Sequence, residues 1–135
     1  MTDSRPETRP RFLIAGDATD VPQIRDMLGR LPVSAYGQVY VEVASPIQVE
    51  RWSVPEGMTV TRLRRDLSSL ASGVTVPRGE LVRRAVAAWV DEWLPGDSEQ
   101  PCVLWIGCAT SPRVDDLYRD LSHRLGPESL RHPHR

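Results

Sequence analysis

Short unbroken apolar runs alternate along this chain with stretches in which apolar residues recur every three or four positions. Residues 11–15 form an apolar run and read as a buried strand. Over 20–31, Val21, Ile24, Met27, Leu28 and Leu31 fall on one helical face, and Pro32 stops the helix. Residues 38–43 are β-branched and alternating, which predicts a second strand. A loop through Ser45-Pro46 and Pro55-Glu56-Gly57 leads to a third at 58–63, and Ser68 to Pro77 reads as a flexible polar connection. Residues 78–94 carry the strongest helical stripe, made by Val82, Ala85, Val86, Trp89, Val90 and Trp93. Residues 101–106 are nearly continuously apolar, as a central parallel strand should be. A last helix over 113–125 aligns Val114, Leu117, Tyr118, Leu121 and Leu125. A fifth strand is expected after residue 125, where only Ser129-Leu130-Arg131 offers one.

This order, β-α-β-(loop)-β-α-β-α, predicts an α/β fold with a mostly parallel sheet of four or five strands and helices on both faces. One domain over 11–126 is expected, with a disordered segment at 1–10 and a loose tail at 127–135. Apolar content is 40% and net charge -1, which gives no reason to expect a nucleic acid or a membrane as partner. All 17 basic residues are arginine. The two cysteines and the lack of an apolar run of membrane length make a cytoplasmic protein the expectation.

Candidate chemistry concentrates where strands turn into helices. After residue 15 the chain runs Gly16-Asp17-Ala18-Thr19-Asp20-Val21-Pro22. A glycine there lets a phosphate approach the backbone, and a helix amino-terminus offers free N–H groups and a positive dipole. Thr19 or Asp20 can cap the helix, and Pro22 in its first turn costs no hydrogen bond. An ordinary strand-to-helix turn has the same grammar, so both readings stand. The pattern recurs at Gly107-Cys108-Ala109-Thr110-Ser111-Pro112. Cys108 at a helix start is a candidate for a lowered thiol pKa, whereas Cys102 reads as a small core residue. His123, His132 and His134 are not placed to hold a metal. Trp52, in the loop before the third strand, is expected to pack. No Gly-x-Ser-x-Gly elbow occurs, and no catalytic residue can be assigned.

With these turns in view, the chain resembles the carboxyl-terminal half of siderophore-interacting proteins, flavin-dependent ferric-siderophore reductases of the ferredoxin-reductase superfamily. The family pattern is an apolar strand followed by Gly-Asp-Glu-Thr-x-x-Pro. Gly16, Asp17, Thr19 and Pro22 match it, and Ala18 replaces the glutamate. Trp105, Gly107 and Ser111 approximate the later Trp-x-x-Gly-Glu-x-Ser segment, with Cys108 where glutamate is usual. The resemblance implies a Rossmann-like sandwich with strand order 3-2-1-4-5 that binds NADH or NADPH. It implies that Gly16, Asp17 and Thr19 meet the pyrophosphate and that the nicotinamide lies near Gly107 and Cys108. Arg62, Arg64 and Arg65 would stand near the adenosine ribose, where a guanidinium fork suits a 2′-phosphate; a solvated charge run is the plain alternative. The family's flavin-binding Arg-x-Tyr-Ser/Thr motif is missing from this sequence. FAD is therefore not expected on this chain alone, and electron transfer would need a flavin-domain protein. The alternative is a non-catalytic interaction or dimerisation module on the same fold, with a homodimer pairing along an exposed fourth strand.

Overall fold

The computed structural model describes residues 11–44, 52, 54–93, 102–108, 111–125 and 130–131. Strand β1 (Arg11–Asp17) is followed by a single 3-10 turn (Ala18–Asp20) and helix α1 (Val21–Arg30). Strands β2 (Tyr36–Val43) and β3 (Gly57–Arg64) come next, then α2 (Arg65–Ser72) and α3 (Glu80–Trp93). Strand β4 (Cys102–Ile106), α4 (Pro112–Leu125) and the two-residue β5 (Leu130–Arg131) complete the order. Every strand pair is parallel, and the sheet runs β3-β2-β1-β4-β5. That is the predicted α/β Rossmann-like arrangement.

Strand alternation assigns the two faces. Leu13 and Ala15 of β1, with Leu104 and Ile106 of β4, pack under Val82, Val86, Trp89 and Val90 of α3 and Val114, Leu117 and Leu121 of α4. Ile14, Val39, Val41, Val43, Met58 and Trp105 point to the opposite face, beneath Ile24 and Leu28 of α1. Two apolar layers thus hold the sheet from both sides, and burial of side chains such as Leu104 is complete. Trp52 packs against the second layer, as expected of it.

Two elements, α2 and the start of α1, differ from the pattern-based expectation. The polar stretch from Ser68 is not a flexible connection but the second half of α2, which ends at Gly73 in the left-handed conformation. Helix formation there was masked by serine content, because α2 has no buried residue to set a stripe. It instead leaves Leu67 50%, Leu70 80% and Val74 68% exposed, the last just past its end. Residue 20 lies outside α1, which begins at Val21. The fifth strand does form at Leu130–Arg131, pairing with Leu104 and Trp105, so β4 is not an open edge at those positions. The segments 1–10 and 132–135 lie outside the described residues.

Topology decides where a site can be. Strands β1 and β4 are neighbours whose following helices, α1 and α4, go to opposite faces, so a crevice opens beyond their carboxyl ends. Packing energetics give a check. Leu104→Ala should lower the unfolding free energy in urea by about 2–5 kcal/mol through cavity formation. Leu70→Ser should change it by no more than about 0.5 kcal/mol.

Candidate functional site at the carboxyl ends of the strands

The crevice between β1 and β4 is filled by the protein's own carboxylates. Asp20 is 4% exposed, and its Oδ2 accepts the backbone N–H of Asp17 at 2.9 Å and that of Cys108 at 2.7 Å. Gly16 and Gly107 flank it so closely that a Cβ on either would meet Asp20 Oδ2 at 2.6 Å. The two glycines therefore make room for a side chain of the same chain. The sequence suggested a backbone approach by phosphate; the space is taken by Asp20.

Asp17 completes the arrangement. Its Oδ1 accepts the backbone N–H of Thr19 at 3.1 Å and the Thr19 hydroxyl at 2.6 Å, while Arg78 donates to Oδ2. Asp17 and Asp20 form a reciprocal capping box around the 3-10 turn. Capping by Thr19 or Asp20 was expected for α1, but α1 receives no side-chain cap from Asp20, whose carboxylate is turned to the crevice. Burial pushes the Asp20 carboxyl upward, and hydrogen bonds from the two amides only partly offset this. Burial works on Asp17 in the same sense, but Arg78 and Thr19 outweigh it and hold that carboxyl below its ordinary range.

A second carboxylate occupies the neighbouring crossover. Glu42 is fully buried on β2 and reaches the start of α3, where it accepts from Gly79 N at 2.8 Å, Leu81 N at 3.0 Å and Val82 N at 3.2 Å. It caps a helix from a different element, replacing the anion that free N–H groups would attract. Gly79 approaches with φ of +94°, and a Cβ there would strike Ser111 Oγ at 2.1 Å. Ser111 caps α4 as the echo motif suggested, accepting Val114 N at 3.4 Å while donating to the Arg78 carbonyl at 3.2 Å.

The predicted residues thus divide. Gly16, Asp17, Thr19, Gly107 and Cys108 converge on one crevice. Arg64 donates to Asp66 through two nitrogens, at 3.2 and 2.7 Å. Arg65 Nε stands 3.5 Å from Glu42 Oε2, and Arg62 lines a shallow hollow with Leu63, Arg64 and Leu67. The three do not form a single fork, since Arg64 and Arg65 each serve a carboxylate of their own. Sequence reading missed Asp20, Glu42 and Arg78 as members of the site. The available signal was Glu42 inside Val41-Glu42-Val43, because a charge in a central strand must find buried donors. Another hollow, of about 310 Å³, lies at the opposite end of the sheet where Arg11, Tyr36 and Gly57 open their strands, and it contains none of the predicted residues.

Comparison with known proteins places this geometry in a family. The model of the siderophore-interacting protein family matches residues 9–126. The chain belongs to that family. Among solved structures, a siderophore utilization protein from T. fusca is similar at a TM-score of 0.67 and 20% identity, over 95% of this chain and 44% of that one. The siderophore-interacting protein SipS from Aeromonas hydrophila gives 0.50 and 22%, over 76% of this chain and 39% of the other. A siderophore-interacting protein from Acinetobacter baumannii gives 0.56 and 15%, over 94% and 48%. This member thus spans less than half the length of the solved structures it resembles. A search of curated proteins found no match. No helix among the described residues is long and apolar enough to cross a membrane.

As folded, the crevice offers a diphosphate neither the Asp17 nor the Cys108 amide, since both donate to the Asp20 carboxylate. Cys108 also departs from expectation. Its thiol is fully buried and lies 3.9 Å from Asp17 Oδ2. Burial and then the Asp17 charge push it up to about 12, the reverse of a helix-activated thiolate. Its backbone stands at φ of 58°, a conformation the Asp20 hydrogen bond helps to hold. Iodoacetamide at about pH 8 should therefore leave Cys108 unmodified in the native protein and label it in urea, as read by peptide mass.

Proposed function

We propose that this siderophore-interacting-family domain acts as a protein-docking module and does not itself hold a nicotinamide dinucleotide at the first crossover. The observation that carries the reading is the Asp20 carboxylate on the amides of Asp17 and Cys108. An anion covalently part of the chain competes with any dissolved diphosphate at no translational cost. The exposed apolar residues Leu67, Leu70 and Val74 at α2 give the docking role a surface. The partner class that the sequence resemblance implies is a flavin-domain protein, which would carry the FAD. In that assembly FAD belongs to the partner, and the domain contributes shape and contact.

A second reading keeps NAD(P)H on this chain and leaves only the flavin to the partner. It is supported by the convergence of Gly16, Gly107 and the exposed Thr19 at one crevice mouth. It requires Asp20 to leave its two amides. Titration with NADPH and NADH, followed through fluorescence of Trp105 on β4, separates the two. The docking reading predicts no saturable change up to about millimolar nucleotide in the native protein. It also predicts that Asp20→Ala gains affinity for inorganic pyrophosphate, because two amide donors are released. Saturable nucleotide binding by the native chain would overturn it and favour the second reading. Sedimentation across a concentration series then tells a homodimer from a module that waits for a different protein.

A further inference from the structure

Away from the crossover, one carboxylate gathers three guanidiniums. Glu80, 5% exposed at the start of α3, accepts from Arg83 Nε at 2.9 Å and Nη2 at 2.7 Å, from Arg84 Nε at 2.6 Å, and from Arg113 Nη1 at 3.3 Å. Three cations against one anion leave a formal surplus of two positive charges. Hydrogen bonds from Arg83, and then from Arg84, hold the Glu80 carboxyl down to about 2, so the surplus persists across neutral pH. Arg83 spends its fork on Glu80. Arg84 and Arg113 each commit a single nitrogen and remain 58% and 50% exposed. Both line a cleft of about 330 Å³ with Ser72, Val74, Thr75, Val76 and Pro77, and among the described residues Glu80 is the one acid in its wall.

We propose that this cleft binds the phosphate group of a small phosphate monoester between Arg84 and Arg113. A phosphate dianion matches the charge surplus, and its three terminal oxygens can accept from two guanidiniums at once. The volume is at the lower end of small-molecule sites, enough for a phosphate and a sugar-sized group. Val76 and Pro77 supply an apolar wall for the organic part. Glu80 acts as a positioning residue, with both oxygens already saturated by arginine. The cleft uses none of the crossover amides, so it is tested separately from the state of the crossover, although Val74 of the docking surface also lines it.

Ribose 5-phosphate, inorganic phosphate and ribose are the probes, titrated at low salt by calorimetry and by amide chemical shifts. Both phosphates should saturate, ribose should not, and the largest shifts should fall at residues 72–77 and 113. Arg113→Ala leaves Arg83 and Arg84 on Glu80 and should weaken binding about tenfold or more. Arg84→Lys keeps the charge but loses the fork and should also weaken it, while Arg30→Ala on α1 should not. Failure of both phosphates to saturate overturns the proposal. So do shifts centred on 16–20, or affinity that Arg113→Ala leaves unchanged.

Discussion

Asp20 holds together the two strand ends on which this fold turns. Its carboxylate is bonded to an amide at the end of β1 and to another just after β4, the second 88 residues away along the chain. Charge-assisted bonds of this kind are stronger than neutral ones, and removing a buried partner leaves amides unsatisfied. The two glycines, the tight 3-10 turn and the left-handed Cys108 all follow from giving that carboxylate space and donors.

The same economy repeats along the carboxyl edge. Glu42 stops the start of α3, Asp17 is matched by Arg78, and Glu80 is matched by three arginines. In an α/β sheet this edge is where anions are usually received, because helix amino-termini collect there. Here acidic side chains receive the amides and arginines receive the acids. On the proposals made above, anion recognition moves from backbone to guanidinium, and from the crossover to the helix surface around Glu80.

Much of the architecture was legible beforehand. Periodicity located β1 to β4, α1, α3 and α4, since each element buries a face and so carries a stripe. Where burial is missing there is no stripe to read: α2 has no buried residue, and serine-rich Ser68 to Ser72 reads as loop although it is helical. The turn Gly16 to Pro22 marked the crevice between β1 and β4. What it did not reveal is who fills it, because a glycine beside a helix start is equally compatible with a foreign phosphate and with a neighbouring Asp. Asp20 read as a cap from local spacing, and only the three-dimensional approach of Cys108, far away in sequence, turns it inward. Cys108 misled similarly: its place before a helix suggests activation, while complete burial beside Asp17 reverses the sign.

The most direct test is a nuclear magnetic resonance measurement of scalar coupling across the hydrogen bond from the Cys108 amide nitrogen to the Asp20 carboxyl carbon. The account predicts a resolvable coupling, with the Cys108 amide unmoved when pyrophosphate or NADPH is added in excess. An absent coupling, or a Cys108 amide that shifts saturably with either compound, would mean the crevice is open to outside anions and would contradict it.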